Sequence, residues 1–197
     1  MPKISAPTVA EHRARQRDAL LHAATDLLVT AGVNAVTPAA VSAAAGLARP
    51  SFYQYFSSGA DILAAVIEDA FPRANEELRI ALESAGGPAE QLDTYVRVSL
   101  RLAHEGAHRP AAALAAAQLP DVCMARLREL HHEQAEPFMR ALTELGAPDL
   151  ELTAQLLGGV LEAAMGAIES GSSLTAVTER TLTLVHAAVS MAPSDLR

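Results

Sequence analysis

The sequence predicts an all-α chain of about nine helices, and three observations carry that prediction. Half of its 197 residues are hydrophobic while only 4% are aromatic. With Ala, Leu and Glu abundant, this is the profile of a packed helical protein. Apolar residues recur at three- and four-residue spacing along the chain, with no strand signal. Gly and Pro cluster between these runs, most clearly at Gly86–Gly87–Pro88 and Gly146–Ala147–Pro148, where turns are expected.

Residues 1–10 carry two Pro and no periodicity, which predicts a flexible N-terminal arm. A first helix is expected from Glu11 to Ala31, with Leu20, Ala24, Leu27, Leu28 and Ala31 on one stripe and Gly32 stopping it. The next stretch, Thr37 to Phe56, reads as two short helices joined by a tight turn. Thr37 is a good N-cap, and Pro38 falls at the first helical position, where its missing N–H costs nothing. Val41, Ala44 and Ala45 are expected on one apolar face. Gly46 ends the helix by supplying a left-handed conformation, and Leu47 plugs the corner. The second short helix starts near Arg49 with Pro50 in its first turn. Phe52 and Phe56, four apart, face inward, while Pro50, Ser51 and Gln54 face outward with Tyr53 and Tyr55 on the flanks. Two such helices joined through a Gly form a helix-turn-helix unit, whose second helix enters the major groove of DNA.

Beyond Phe56, Ser57 or Ser58 can cap a fourth helix with Ile62, Leu63, Val66 and Ile67 as its apolar residues. Pro72 is expected to break or kink the pattern, with a fifth stretch running to Ala85. A helix over about Ala89–His108 carries Leu92, Tyr95, Val96, Ser99, Leu100 and Ala103 inward. An alanine-rich helix then reaches Leu119, and Pro120–Asp121 opens a long one to about Leu145, with Pro137 as a kink. Two closing helices are expected over Asp149–Ser170 and Leu174–Met191, separated by Gly171–Ser172–Ser173.

Charge and cysteine usage bound the function. The net charge of −8 argues against a protein that coats nucleic acid over its whole surface. Its distribution is uneven: residues 1–60 balance to +2 and the remaining 137 to −10. A mildly basic head on an acidic body fits contact with DNA at one end only. The single Cys excludes an internal disulfide framework and suits a reducing cytoplasm. No signal-peptide run opens the chain, and charges interrupt every apolar stretch before it could span a bilayer, so a cytoplasmic protein without membrane contact is expected.

The stretch Thr37 to Phe56 resembles the DNA-binding motif of TetR-family transcriptional regulators. The parts that carry the resemblance are Thr37, the small pair before Gly in Ala44–Ala45–Gly46, and the run Tyr53–Gln54–Tyr55–Phe56. It implies a three-helix DNA-binding domain over 11–57 and a larger effector-binding and dimerisation domain over 58–197. The implied function is a repressor that binds a palindromic operator in double-stranded DNA as a homodimer and is released by a small-molecule effector. The sequence departs from the family at the fourth helix: a phosphate-touching Lys is common beside its start, and Gly59 and Ala60 stand there instead. That departure keeps open an all-α metabolite-binding or protein-interaction module that has lost DNA binding.

Arg49 is the candidate base reader, because a guanidinium can fork onto O6 and N7 of guanine. Gln54 suits adenine or a phosphate, and Pro50 a thymine methyl. Thr37, Ser51, Tyr53 and Tyr55 are candidate phosphate contacts, which fix register and carry little sequence information. Both Tyr rings have an alternative as packing residues with wet hydroxyls; Arg13, Arg15 and Arg17 can reach the DNA backbone or form a solvated face, the commoner role for such a run. The resemblance implies an effector pocket among the later helices, with Tyr95, Ser99, Cys123, Met124, Leu127, Phe138 and Met165 as candidate lining. It also implies that the last two helices meet their twins, with Leu157, Val160, Leu161, Ala164, Ile168, Val177, Leu184, Val185 and Ala188 as candidate interface; the alternative is that these faces pack on their own chain. His104 and His108 share a helix face but lack a third ligand, so no metal is expected. With no phosphate loop, dinucleotide fingerprint or paired-carboxylate motif, neither a cofactor nor an enzymatic activity is expected.

Overall fold

The computed structural model describes residues 6–115 and 117–190. Among these are nine α-helices, one 3-10 turn at Val33–Ala35 and no strand. The helices are α1 (Ala6–Ala31), α2 (Pro38–Ala44), α3 (Arg49–Phe52), α4 (Gly59–Glu83), α5 (Pro88–His104), α6 (Arg109–Ala115), α7 (Asp121–Glu144), α8 (Leu150–Glu169) and α9 (Leu174–Ser190).

Several boundaries differ from the expectation: α5 stops at His104 rather than His108 and α6 at Ala115 rather than Leu119, and two further differences concern prolines. The first helix starts at Ala6 rather than Glu11, so residues 6–10 of the expected arm are helical and residues 1–5 lie outside the described part. Pro7 does not forbid this, since an N–H in the first turn has no intrahelical partner to lose. Pro72 does not end its helix either: α4 runs unbroken to Glu83. A helix absorbs an interior Pro at the cost of one backbone bond when the turns on both sides are held, and Phe71 and Leu78 are both buried after it begins. Pro137 likewise lies inside α7.

The chain divides into two compact units, Met1–Ala70 with Arg109–Arg128, and Phe71–His108 with Glu129–Arg197. The first is larger than the expected 11–57 domain, for it takes in the start of α4, α6 and the start of α7. A three-helix head of that size buries too little apolar surface to be comfortable alone. Here Leu20, Ala24 and Leu28 of α1, Val41 of α2, Phe52 of α3 and Ile62, Val66 and Ile67 of α4 are all buried, with Leu114 of α6, and α6 packs against α1. Ala31, expected on the inner stripe, is exposed at the helix end. Within this unit Arg126 donates to both carboxylate oxygens of Glu68, at 2.5 and 3.1 Å.

In the second unit α5, α8 and α9 pack on one another. Leu92, Val96 and Leu100 meet Leu142, Leu157, Ile168 and Val185 in its core. Leu100 and Leu142 have no exposed surface, and each such side chain stabilises the fold by about 1.5–3 kcal/mol relative to an exposed one.

Candidate nucleic-acid interface

The helix-turn-helix is fixed by local chemistry at three points. Thr37 holds an extended backbone, and its Oγ1 accepts from the Ala40 N–H at 3.2 Å with Pro38 at the first helical position. Gly46, at φ +69°, closes α2: its N–H donates to the Ala43 carbonyl at 3.1 Å and the Leu47 N–H to the Ser42 carbonyl at 2.9 Å. This paired closure requires a left-handed residue at Gly46. The third point is the tail of α3, where the Gln54, Tyr55 and Phe56 N–H groups turn back onto Ser51 and Phe52. The regular helix therefore ends at Phe52, and Tyr53–Tyr55 form a tight turn.

The inner face of α2 differs in one detail from the expected Val41, Ala44 and Ala45. Val41 is buried, but Ser42 is buried beside it while Ala44 is exposed. The hydroxyl of Ser42 is satisfied within its own helix, donating to the Pro38 carbonyl at 2.7 Å, so a polar residue sits there without an orphaned group.

Phe52 and Phe56 are buried as expected, with ring centroids 5.7 Å apart. They form a floor under the candidate DNA residues. Thr37, Arg49, Pro50, Tyr53 and Gln54 are exposed, and Ser51 and Tyr55 are half-buried. The Arg49 guanidinium donates to the Tyr53 hydroxyl at 3.4 Å; among the described residues it has no carboxylate partner. Arg17 lies over the Phe56 ring, 5.6 Å from its centroid, an arrangement that contributes about 0.5–1 kcal/mol at exposed sites.

One residue of this surface escaped sequence reasoning. Gln16 of α1 accepts from the Tyr55 hydroxyl at 2.8 Å across 39 residues of chain. A pair that distant leaves no periodic signal, and a polar residue in the first half of an amphipathic helix reads as solvated.

At the start of α4 the Ser58 hydroxyl accepts from the Asp61 N–H at 3.1 Å. Asp61 in turn accepts from the Ser57 N–H and hydroxyl at 2.8 and 3.0 Å. These two bonds, the backbone one first, hold its carboxyl below the usual range. Gly59 has a packing reason of its own: a Cβ there would stand 3.2 Å from the Val36 carbonyl oxygen. Gly59 therefore stands where the backbone of α4 passes close to the turn before α2.

The seven candidate effector residues divide between the two units. Cys123, Met124 and Leu127 belong to the first, where Cys123 and Leu127 are buried and burial pushes the Cys123 thiol up. Tyr95, Ser99, Phe138 and Met165 belong to the second. There Tyr95 and Phe138 stack at 5.1 Å within the core, Met165 packs against it, and burial pushes the Tyr95 hydroxyl up to about 12. The second unit also holds a cavity of about 450 Å³ lined by none of the seven. Leu78, Leu82 and Pro137 supply its apolar wall, with Asn75, Gln91 and Arg140 among its polar groups. Inward apolar helix positions pack closely, so a cavity opens instead among polar and mixed positions.

The histidines add structure. His108 meets Glu169 at 3.4 Å, and the ring edge of His131 meets Phe71 at 4.9 Å. Burial, then His108, pulls His131 below its ordinary value while Glu162 opposes them. His186 contacts Asp93 at 2.5 Å. Among the described residues no group of three or more His, Cys, Asp or Glu is placed to hold a metal, and no helix is long and apolar enough to cross a membrane.

Of the nine candidate interface residues, Leu157, Leu161, Ala164, Ile168 and Val185 are buried in the protomer's own core. Val160, Val177 and Ala188 are half-buried, and Leu184 is 47% exposed. The periodicity located an apolar stripe correctly, and it is the stripe that faces inward. A second, shorter one faces out: Leu152, Leu156, Gly159 and Ala163 of α8 follow at helical spacing, with Leu152 and Leu156 exposed by 48% and 62%.

Comparisons with known proteins agree with this geometry. Residues 20–66 match the family model for bacterial regulatory proteins, tetR family. The HTH-type transcriptional regulator BetI of Rhizobium meliloti is 29% identical over 101 residues, 51% of this chain and 47% of that protein. The match thus spans about half of the relative's length. Among solved structures, a TetR-like transcriptional regulator from Rhodococcus sp. RHA1 superposes with a TM-score of 0.76 at 22% identity, over 87% of this chain and 93% of that one. The regulator FadR from Bacillus subtilis, in complex with stearoyl-CoA, does so with a TM-score of 0.71 at 19% identity, over 85% and 96%. At these identities the structural likeness speaks for the fold. Residues 20–66, which hold the helix-turn-helix, are thus similar to the tetR family of bacterial regulatory proteins, and the chain as a whole shares the fold of such regulators.

Proposed function

We propose that this protein is a repressor that binds a palindromic operator as a homodimer and leaves it when a small-molecule effector binds. The observation that carries the reading is the outward set Arg49 and Pro50 on the recognition helix, with Tyr53 and Gln54 on the turn that follows it, floored by Phe52 and Phe56. Arg49 is available there, whereas Arg79, Arg101, Arg126 and Arg140 of the remaining chain are each paired with carboxylates. Arg49 reads a guanine, Gln54 an adenine or a phosphate, and Pro50 packs on a thymine methyl. Thr37, Ser51 and Tyr53 grip phosphates and set register.

Dimerisation is proposed through the outward stripe of α8, Leu152, Leu156, Gly159 and Ala163, with Leu184 and Ala187 of α9 beside it. Gly159 and Ala163 let a twin helix approach closely, and the leucines supply apolar area. A two-fold pair sets its recognition helices about 34 Å apart, one turn of DNA. The cavity of about 450 Å³ is within the range of small-molecule sites, which supports effector control. Operator and effector then weaken each other by the same factor.

The second reading, a module that has lost DNA binding, is favoured by Gly59 and Ala60 where the family carries Lys. Selection of random double-stranded DNA on the purified protein separates the two. An inverted repeat with half-site centres about 10 bp apart is the expected product. Recovery of no sequence above the input would favour the second reading.

A further inference from the structure

We propose that Gln16 of α1 donates to a DNA phosphate, and that Tyr55 is its positioning residue rather than a phosphate contact. This deepens the DNA-binding reading above and rests on it. The argument is a count of protons. A phosphate oxygen only accepts, and a tyrosine hydroxyl has a single proton to donate. The Tyr55 hydroxyl gives that proton to Gln16 Oε1 at 2.8 Å, so nothing remains for a phosphate.

Tyr53 is the opposite case. Its hydroxyl oxygen accepts from Arg49 Nη2 at 3.4 Å. Arginine accepts nothing, so the Tyr53 proton stays free to donate. Two tyrosines two residues apart, equivalent in the sequence, therefore have different roles.

The bond from Tyr55 engages only the carbonyl end of the Gln16 amide. The Nε2 end carries two N–H donors and has no partner among the described residues. Because the amide is planar, fixing Oε1 also fixes the direction of Nε2. The next residue, Arg17, lies over Phe56, the residue after Tyr55. Two successive residues of α1, Gln16 and Arg17, thus meet two successive residues after α3, Tyr55 and Phe56. A neutral amide held in this way supplies the kind of directed contact that positions a protein on the duplex without reading sequence.

The test uses the full-length chain and a selected operator, with affinity measured by fluorescence anisotropy. Gln16→Glu keeps an acceptor for Tyr55 but replaces both donors with an anion; it should bind about tenfold or more weakly, as expected for loss of a hydrogen bond to a charged group. Gln16→Met loses the same donors without adding charge and should weaken binding by about tenfold, less than Gln16→Glu. Tyr55→Phe, which only frees the amide to wander, should cost least. All three should keep the wild-type preference among single-base operator variants and a wild-type thermal midpoint. Wild-type affinity in Gln16→Met, or a larger loss in Tyr55→Phe than in Gln16→Glu, would overturn the assignment alone. Absence of operator binding by the wild-type protein would overturn it together with the DNA-binding reading.

Discussion

Arg49 is where residue-scale chemistry bears most directly on function. Its side chain is exposed, sits on the outward side of α3 and hydrogen-bonds to the Tyr53 hydroxyl. A guanidinium bidentate to guanine contributes about 1–3 kcal/mol of discrimination. Arg49→Ala is therefore expected to relax preference at one base pair of each half-site while leaving the fold intact, and competition across single-base operator variants checks it. At this scale the sequence was partly legible. Phe52 and Phe56 declared themselves by their spacing of four, and the outward residues followed from them. Tyr53 and Tyr55 could not be told apart, because what separates them is a hydrogen bond to Gln16, 39 residues away. Ser42 was missed for a related reason: its hydroxyl bonds within its own helix, so a polar residue occupies a buried position that residue type alone assigns to solvent.

Elements were read best where a residue can do only one thing. Thr37 with Pro38 and Gly46 with its left-handed backbone fixed both ends of α2. Thr37→Ala removes the cap on the Ala40 N–H and should cost about 1 kcal/mol of stability, seen as a lowered midpoint in chemical denaturation with an unchanged slope. A wild-type midpoint would show that the cap bond contributes nothing. Pro72 reads as a break or a kink because its effect on a helix is local; the break does not occur, since the continuation of α4 to Glu83 depends on tertiary burial that no single residue announces. The same limit governs α8. Its inner stripe, Leu157, Leu161, Ala164 and Ile168, is the stronger apolar signal, and the core of its own protomer takes it. The outer stripe is shorter and is diluted by Gly159 and Ala163, so it stands out only once burial is known.

At the scale of the whole molecule, the fold class and the place of the DNA-binding head were legible because periodicity, capping and the helix-turn-helix pattern all pointed the same way. The division into units was not, since α6 and the first part of α7 join the head from residues 109–128, a non-local pairing. Tyr95 and Phe138, two of the candidate effector residues, illustrate the same point: chemistry that suits a ligand also suits a packed core. Dimerisation belongs to this scale as well. Leu156→Glu places a charge on the outward stripe and should dissociate the proposed dimer in analytical ultracentrifugation without loss of helix content; a variant that dimerises as the wild type does would move the interface elsewhere. The most direct test of the central claim is anisotropy of a labelled selected operator, titrated with wild-type protein from low to moderate salt. The account predicts saturation at two protomers per site, resistance to scrambled competitor, and an affinity that falls by about 10³–10⁵ between 50 and 200 mM salt if six to ten phosphates are engaged. Equal binding to scrambled DNA, or an affinity indifferent to salt, would contradict it.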